Sequence, residues 1–205
     1  MFTATLSTLL DMLGTFAFGL SGAMVAIRSR LDLFGILVLS AATGVAGGII
    51  RDLLLGDVPP AALQTYWPLA VTGAAGLCAF FFGPLIDRMN RPVMLLDAVG
   101  LGVFAVAGCQ KALAFGLETP GAVLLGMMTA IGGGMLRDIM AAEVPRVLRE
   151  DVYALAALAG ASAYVCGLWL DVPDTAAVVS AVLLAIVLRI ASVRYGWKLP
   201  RARGS

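Results

Sequence analysis

The 205 residues are 60% hydrophobic and only 13% charged, with a mean hydropathy of +0.96 and a net charge of +1. A soluble domain this small needs far more charge to cover its surface, so lipid is the solvent the composition fits. The charges are scattered rather than gathered in a basic stripe, which excludes nucleic acid as a partner; the absence of histidine removes the commonest metal ligand and general base.

A bilayer-spanning helix needs about 20 mostly apolar residues. Seven stretches between charges and Pro/Gly breaks meet that demand. The first, Thr5–Ile27, follows an N-terminus with no Lys or Arg before its apolar run, so it reads as a retained helix rather than a signal peptide. It carries Asp11, Thr15 and Ser21. The second, Leu33–Leu55, holds the run Thr43-Gly44-Val45-Ala46-Gly47-Gly48-Ile49-Ile50-Arg51-Asp52. The third, Tyr66–Ile86, is almost wholly apolar, and the fourth, Pro92–Phe115, carries Asp97, Gln110 and Lys111. The fifth, Pro120–Ala142, contains Thr129-Ala130-Ile131-Gly132-Gly133-Gly134-Met135-Leu136-Arg137-Asp138. Val152–Leu170 and Thr175–Val193 complete the set. Cys78, Cys109 and Cys166 lie far apart in these stretches, with no CxxC or zinc spacing, and read as small buried apolar side chains. No Walker loop, dinucleotide fingerprint or Ser/His/Asp arrangement is present, so the chain is not expected to be an enzyme and needs no cofactor.

Lys and Arg concentrate in cytoplasmic loops. One set of connections holds Arg28, Arg30, Arg88, Arg91, Arg146, Arg149 and a tail with Arg194, Lys198, Arg201 and Arg203; the other holds mainly Asp57, Glu118, Asp171 and Asp174, with Lys111 near it. The expected topology has the N-terminus outside and the C-terminus in the cytoplasm.

The chain repeats itself without a gap. Asp11 matches Asp97 (97 − 11 = 86), and the same offset pairs Gly14 with Gly100, Phe18 with Phe104, Gly22 with Gly108 and Gly35 with Gly121. It continues through Thr43 and Thr129, Gly47-Gly48 and Gly133-Gly134, Arg51-Asp52 and Arg137-Asp138, and Val58-Pro59 and Val144-Pro145. Each copy contains three helices, an odd number, so the second enters the membrane from the opposite face. The expected fold is an all-α integral membrane protein, a single membrane domain over 1–205. It comprises seven transmembrane helices: a first three-helix repeat over 5–88, an inverted second over 92–170, and a seventh helix over 173–193.

The glycine pairs fall near mid-span. Adjacent glycines weaken a helix by about 1 kcal/mol each relative to Ala and permit kinks. Carbonyls freed at a kink must be buried in protein or line a wet cavity, where they can meet a cation; equally, Gly44-x-x-x-Gly48 is a small-xxx-small pattern that lets helices approach closely. Arg51 and Arg137 lie four residues on, about 6 Å along a helix, and ionisable groups that deep usually face a cavity or a partner. Sequence neighbours point in different directions on a helix, so Arg51-Asp52 and Arg137-Asp138 are each expected to need partners elsewhere. Asp11, Asp97, Thr15, Ser21, Gln110 and Lys111 are the candidates. Asp11 and Asp97 also read as helix-end charges, and Lys111, whose repeat mate is Val25, as a lysine snorkelling to the surface.

Gly-Gly-x-x-Arg-Asp in both halves of a seven-helix chain resembles the trimeric intracellular cation (TRIC) channel family, above all its prokaryotic members, a bacterial family also labelled glycine transporter. The matching residues are Gly47, Gly48, Arg51 and Asp52, then Gly133, Gly134, Arg137 and Asp138. The resemblance implies a homotrimer in a prokaryotic inner membrane, surrounded by lipid. Each protomer would have its own pore around kinked second and fifth helices, passing monovalent cations with potassium modestly preferred over sodium. Thr43, Thr129, Asp11, Asp97, Thr15 and Lys111 are candidate lining groups, Arg51 and Arg137 candidate gates. No tightly bound metal is expected, only a transient monovalent cation near Gly47 and Gly133. The alternative is a secondary transporter of a small amino acid such as glycine, with an arginine for the carboxylate and an acid for the amine.

Overall fold

The computed structural model describes residues 2–86, 92–149 and 152–197, with side chains from residue 8 onward. Arg88, Arg91, Lys198, Arg201 and Arg203 lie outside the described residues. The helices are α1 (Phe2–Arg28), α2 (Leu33–Leu55), α3 (Ala61–Gln64), α4 (Trp67–Ile86), α5 (Pro92–Ala114), α6 (Thr119–Met140), α7 (Arg146–Arg149), α8 (Tyr153–Trp169) and α9 (Asp174–Tyr195). No strand occurs among the described residues. The chain is therefore all-helical.

Helix ends follow local chemistry. The Asp32 carboxylate accepts the Gly35 N–H at 2.8 Å and caps α2, which ends at Gly56 with φ 71°. That left-handed turn costs a residue with a Cβ far more than glycine. Pro120 sits in the first turn of α6, where its missing N–H leaves no bond unmade. Gly196, φ 62°, ends α9.

Six helices are long and apolar enough to cross a membrane, counting α1 from Thr8; α8 is apolar but has 17 residues. That is about 25 Å of helix, the lower end of what spans a hydrocarbon core. The four-residue helices α3 and α7 are not foreseen by the hydropathy pattern. Each follows an Arg-Asp pair, and the second carboxylate oxygen of that aspartate holds its first turn: Asp52 accepts the Ala61 N–H at 3.0 Å, Asp138 the Arg146 N–H at 2.8 Å.

Helices α1 and α5 form the centre. They pack on each other; α2 and α4 surround α1, while α6, α8 and α9 surround α5. Helices α2 and α6 cross. The outer helices α4 and α9 present Phe80, Phe81, Phe82, Leu183 and Val187 outward. Such faces suit lipid, which asks only that backbone groups be satisfied within the helix.

At the crossing of α2 and α6 the glycines act by closeness. A Cβ on Gly47 would lie 2.2 Å from the Thr129 carbonyl oxygen, and one on Gly133 2.4 Å from that of Thr43. Each helix seats a carbonyl of the other on its glycine, and both helices continue through these positions. Gly48 differs: the nearest atom to its Cβ position is a guanidinium nitrogen of Arg51, at 3.8 Å.

Candidate functional site

Thr43 and Thr129, at the crossing, are fully buried and donate their hydroxyls to the carbonyls one turn back, Leu39 at 2.6 Å and Leu125 at 2.7 Å. Burying a hydroxyl unbonded in hydrocarbon is costly, and this bond removes the need for water.

One turn beyond the glycines stands an Arg-Asp pair in each half. Arg51 donates from Nε to Asp52 at 2.8 Å, and Arg137 from Nε to Asp138 at 2.9 Å. The expectation of partners elsewhere is incomplete, because each arginine also bonds its own neighbour. The Cα–Cβ vectors do diverge, but the long arginine stem folds back far enough for the guanidinium to reach the adjacent carboxylate. These pairs also have further partners, drawn from the central helices.

In the first half the Nη1 of Arg51 lies 3.6 Å from the Asp11 carboxylate on α1. Lys111, from the end of α5, donates to Asp52 at 2.7 Å and to Asp57 at 2.5 Å. Lys111 is thus a bridge between two carboxylates rather than a snorkelling lysine. In the second half Nη1 of Arg137 donates to Ser21 Oγ at 2.5 Å and to the Asp97 carboxylate. Ser21 in turn donates to Asp97 at 2.7 Å, and Arg146 approaches the other Asp97 oxygen at 3.5 Å. Asp97 and Arg137 are both 0% exposed, so Asp97 is no helix-end charge. Charges this deep cost several kcal/mol each unless paired and hydrogen-bonded, which is what the Ser21–Asp97–Arg137–Asp138 arrangement supplies.

The two halves share the Arg-Asp pair and an acid from a central helix, and they differ in their further partners and in access. A cavity of about 300 Å³ reaches the first cluster, lined by Asp11, Thr15, Gly48, Arg51, Asp52 and Trp67 among others, with Phe104 also in its wall. Phe104 stacks on Phe18, its repeat mate, with centroids 5.5 Å apart and planes 22° apart. Both rings are buried, between the cavity and the second cluster's Gly133. Of the residues singled out from the sequence, the cavity gathers Asp11, Thr15, Gly48, Arg51 and Asp52; Gly47, Thr43, Thr129, Gly133, Gly134, Asp97, Arg137, Asp138 and Lys111 are not in its wall.

Pattern reading missed Tyr153, Arg146 and Arg189. Tyr153 could have been found, because it stands 86 residues after Trp67, one aromatic for another. Arg189 could not, because α9 has no repeat mate. Its guanidinium lies 4.5 Å from the centroid of the Tyr153 ring. Gln110 donates to Tyr164 at 3.3 Å, away from either cluster. Among the described residues no three His, Cys, Asp or Glu side chains converge to hold a metal ion. The three cysteines are free thiols.

Comparisons with known proteins add to this geometry. A family model described as "Glycine transporter" matches residues 8–84 and 94–169, one segment for each half. A UPF0126 membrane protein of Deinococcus radiodurans is 44% identical over 201 residues, covering 95% of this chain and 91% of that one. The UPF0126 inner membrane protein YadS of Escherichia coli is 34% identical over 193 residues, 93% of each chain. The structure of the TRIC trimeric intracellular cation channel orthologue from Rhodobacter sphaeroides has a TM-score of 0.90 at 37% identity, covering 94% of this chain and 100% of that one. A prokaryotic TRIC channel structure in 0.5 M KCl has a TM-score of 0.88 at 32% identity, covering 96% of this chain and 100% of that one.

Proposed function

The chain belongs to the bacterial membrane-protein family described as glycine transporters, which includes the prokaryotic TRIC channels, and we propose that it is a monovalent cation channel with a pore through each protomer. The observation that carries this is the likeness to TRIC cation channels over nearly the full chain, at 37% and 36% identity. The cavity lined by the charged groups Asp11, Arg51 and Asp52 supports it. Potassium is the proposed main permeant ion, and the assembly a homotrimer, as in the TRIC orthologue named above.

In this reading the molecule has seven spans, with inverted repeats over 5–88 and 92–170 and a seventh helix over 173–193. The recurrence of the Arg-Asp bond, of an acid from a central helix and of the aspartate-held turn in both clusters supports the duplication, and the odd number of helices in each copy supports the inversion. The C-terminus faces the cytoplasm of a prokaryotic inner membrane, with Arg28, Arg30, Arg146, Arg149 and Arg194 on that side. Arg51 then lies toward the outside and Arg137 toward the inside. A cation enters past Asp57, Asp11 and Thr15, meets Arg51 as an electrostatic restriction, and passes the crossing of α2 and α6 near Gly47 and Gly133. The Arg137–Asp97 cluster guards the inner end. With the crossing packed and the Phe18–Phe104 pair stacked, the conformation described is a closed one, and conduction requires α2 and α6 to part.

Proteoliposomes decide between this reading and a carrier. Passive potassium efflux that does not saturate with concentration is the expected result. Saturable counterflow of labelled glycine without potassium flux would overturn it in favour of a transporter.

A further inference from the structure

Two clusters built on the same Arg-Asp pair should be equally open if the repeat alone governed them. They are not. At the first, Trp67 is 51% exposed and lines the cavity beside Arg51. At the second, its mate Tyr153 is 2% exposed and stands over Gly134, whose Cβ position lies 2.8 Å from the Tyr153 hydroxyl. Gly48, the mate of Gly134, faces only the Arg51 guanidinium. The same turn of helix is roofed by an aromatic ring in one half and left open in the other.

The difference traces to the helix outside the repeat. Helix α9 packs on α5 and α8 and delivers Arg189, itself 1% exposed, onto the Tyr153 ring with 4.5 Å from guanidinium carbon to ring centroid. An arginine over a tyrosine face is attracted by the ring quadrupole, most strongly where water is absent. Trp67 has no such cation among its described ring contacts; it meets Tyr66, with centroids 4.6 Å apart. The Tyr153 hydroxyl is buried without a hydrogen-bond partner, so the ring rather than the hydroxyl is what the position uses.

We propose that Arg189 is a positioning residue that holds the Tyr153 ring over the Arg137–Asp97 cluster, so that α9 seals one end of the pathway and makes the two ends unequal. The assignment rests on the channel reading above. Loss of the cation loosens the ring and exposes the cluster; loss of the hydroxyl does neither.

Two readouts test this on the full-length chain in liposomes and planar bilayers. The first is open probability for Arg189→Gln, Arg189→Lys, Tyr153→Leu and Tyr153→Phe. The second is the rate at which a methanethiosulfonate reagent modifies Ser21→Cys, with Cys78, Cys109 and Cys166 replaced by alanine and rates compared only within that background. Expected is a rise of about 2- to 30-fold in both readouts for Arg189→Gln and Tyr153→Leu, the equilibrium span of an exposed to a desolvated cation–π contact. Arg189→Lys and Tyr153→Phe stay near the parent, and unitary conductance is unchanged throughout. Equal effects of Arg189→Lys and Arg189→Gln, or of Tyr153→Phe and Tyr153→Leu, overturn the proposal, as does no change in either readout. The labelling rate needs no current: if the parent conducts nothing, the channel reading fails while a faster Ser21→Cys reaction still supports the cover.

Discussion

Gly47 and Gly48 are adjacent, and their replacement by alanine should have opposite effects. The Cβ of Gly47→Ala would sit 2.2 Å from the Thr129 carbonyl oxygen, whereas ordinary contact begins at 3.4 Å. Helices α2 and α6 must then separate by about 1.2 Å, since a backbone carbonyl inside a helix cannot swing aside. Overpacking of this kind costs about 1–3 kcal/mol. Against it stands about 1 kcal/mol gained by exchanging a mid-helix glycine for alanine. Gly48→Ala keeps the gain without the cost, because its Cβ meets no atom nearer than 3.8 Å. At about 2–4 °C per kcal/mol for a chain of this size, the two variants should differ by about 2–12 °C in melting temperature. Thermal unfolding in detergent, followed by intrinsic fluorescence, measures this, with Gly133→Ala expected to follow Gly47→Ala through its 2.4 Å approach to Thr43. If Gly48→Ala lost as much stability as Gly47→Ala, flexibility rather than closeness would be the reason for the glycines.

Asp97→Asn removes a fully buried carboxylate from Arg137 and should cost about 3–5 kcal/mol, whereas Asp11→Asn, at a side chain 44% exposed and 3.6 Å from Arg51, should cost less; the same unfolding assay compares them. Ser21→Ala deprives Arg137 and Asp97 of the hydroxyl between them and should destabilise by about 1–3 kcal/mol, with unchanged stability contradicting the network. Lys111→Met strips the ammonium from Asp52 and Asp57, leaving the end proposed as the outer mouth more negative. Potassium conductance should rise at 0.1 M salt and match the parent at 1 M, where the Debye length shrinks to about 3 Å; a difference that persists at high salt would point to a structural cause.

Much of this molecule is written in its apolar lengths. The long helices lie within about three residues of the stretches read from hydropathy, because a lipid solvent leaves little choice but helix between charges. The repeat was equally legible, since Arg, Asp, Gly and Phe at one offset do not recur by chance. The burial of Asp97 was not legible: hydropathy places it five residues into a helix, and only the packing of α1 and α5 brings Ser21 and Arg137 to it. The pairing of Arg51 with its own neighbour was missed for a different reason, since a wheel describes Cβ directions and not the reach of a long side chain. The role of α9 was hidden because sequence self-comparison says nothing about a helix without a mate, and Arg189 reads as one more residue of an apolar stretch until its stack on Tyr153 is seen.

The central claim is passive cation conduction through each protomer. Single-channel recording of the purified chain in a planar bilayer, with a potassium chloride gradient and then a potassium/sodium gradient, tests it most directly. The expected result is discrete openings whose reversal potential lies on the cation side of zero in the first gradient and shifts modestly toward potassium in the second. A silent bilayer from protein that is inserted and folded, or openings that reverse at the chloride potential, would contradict it.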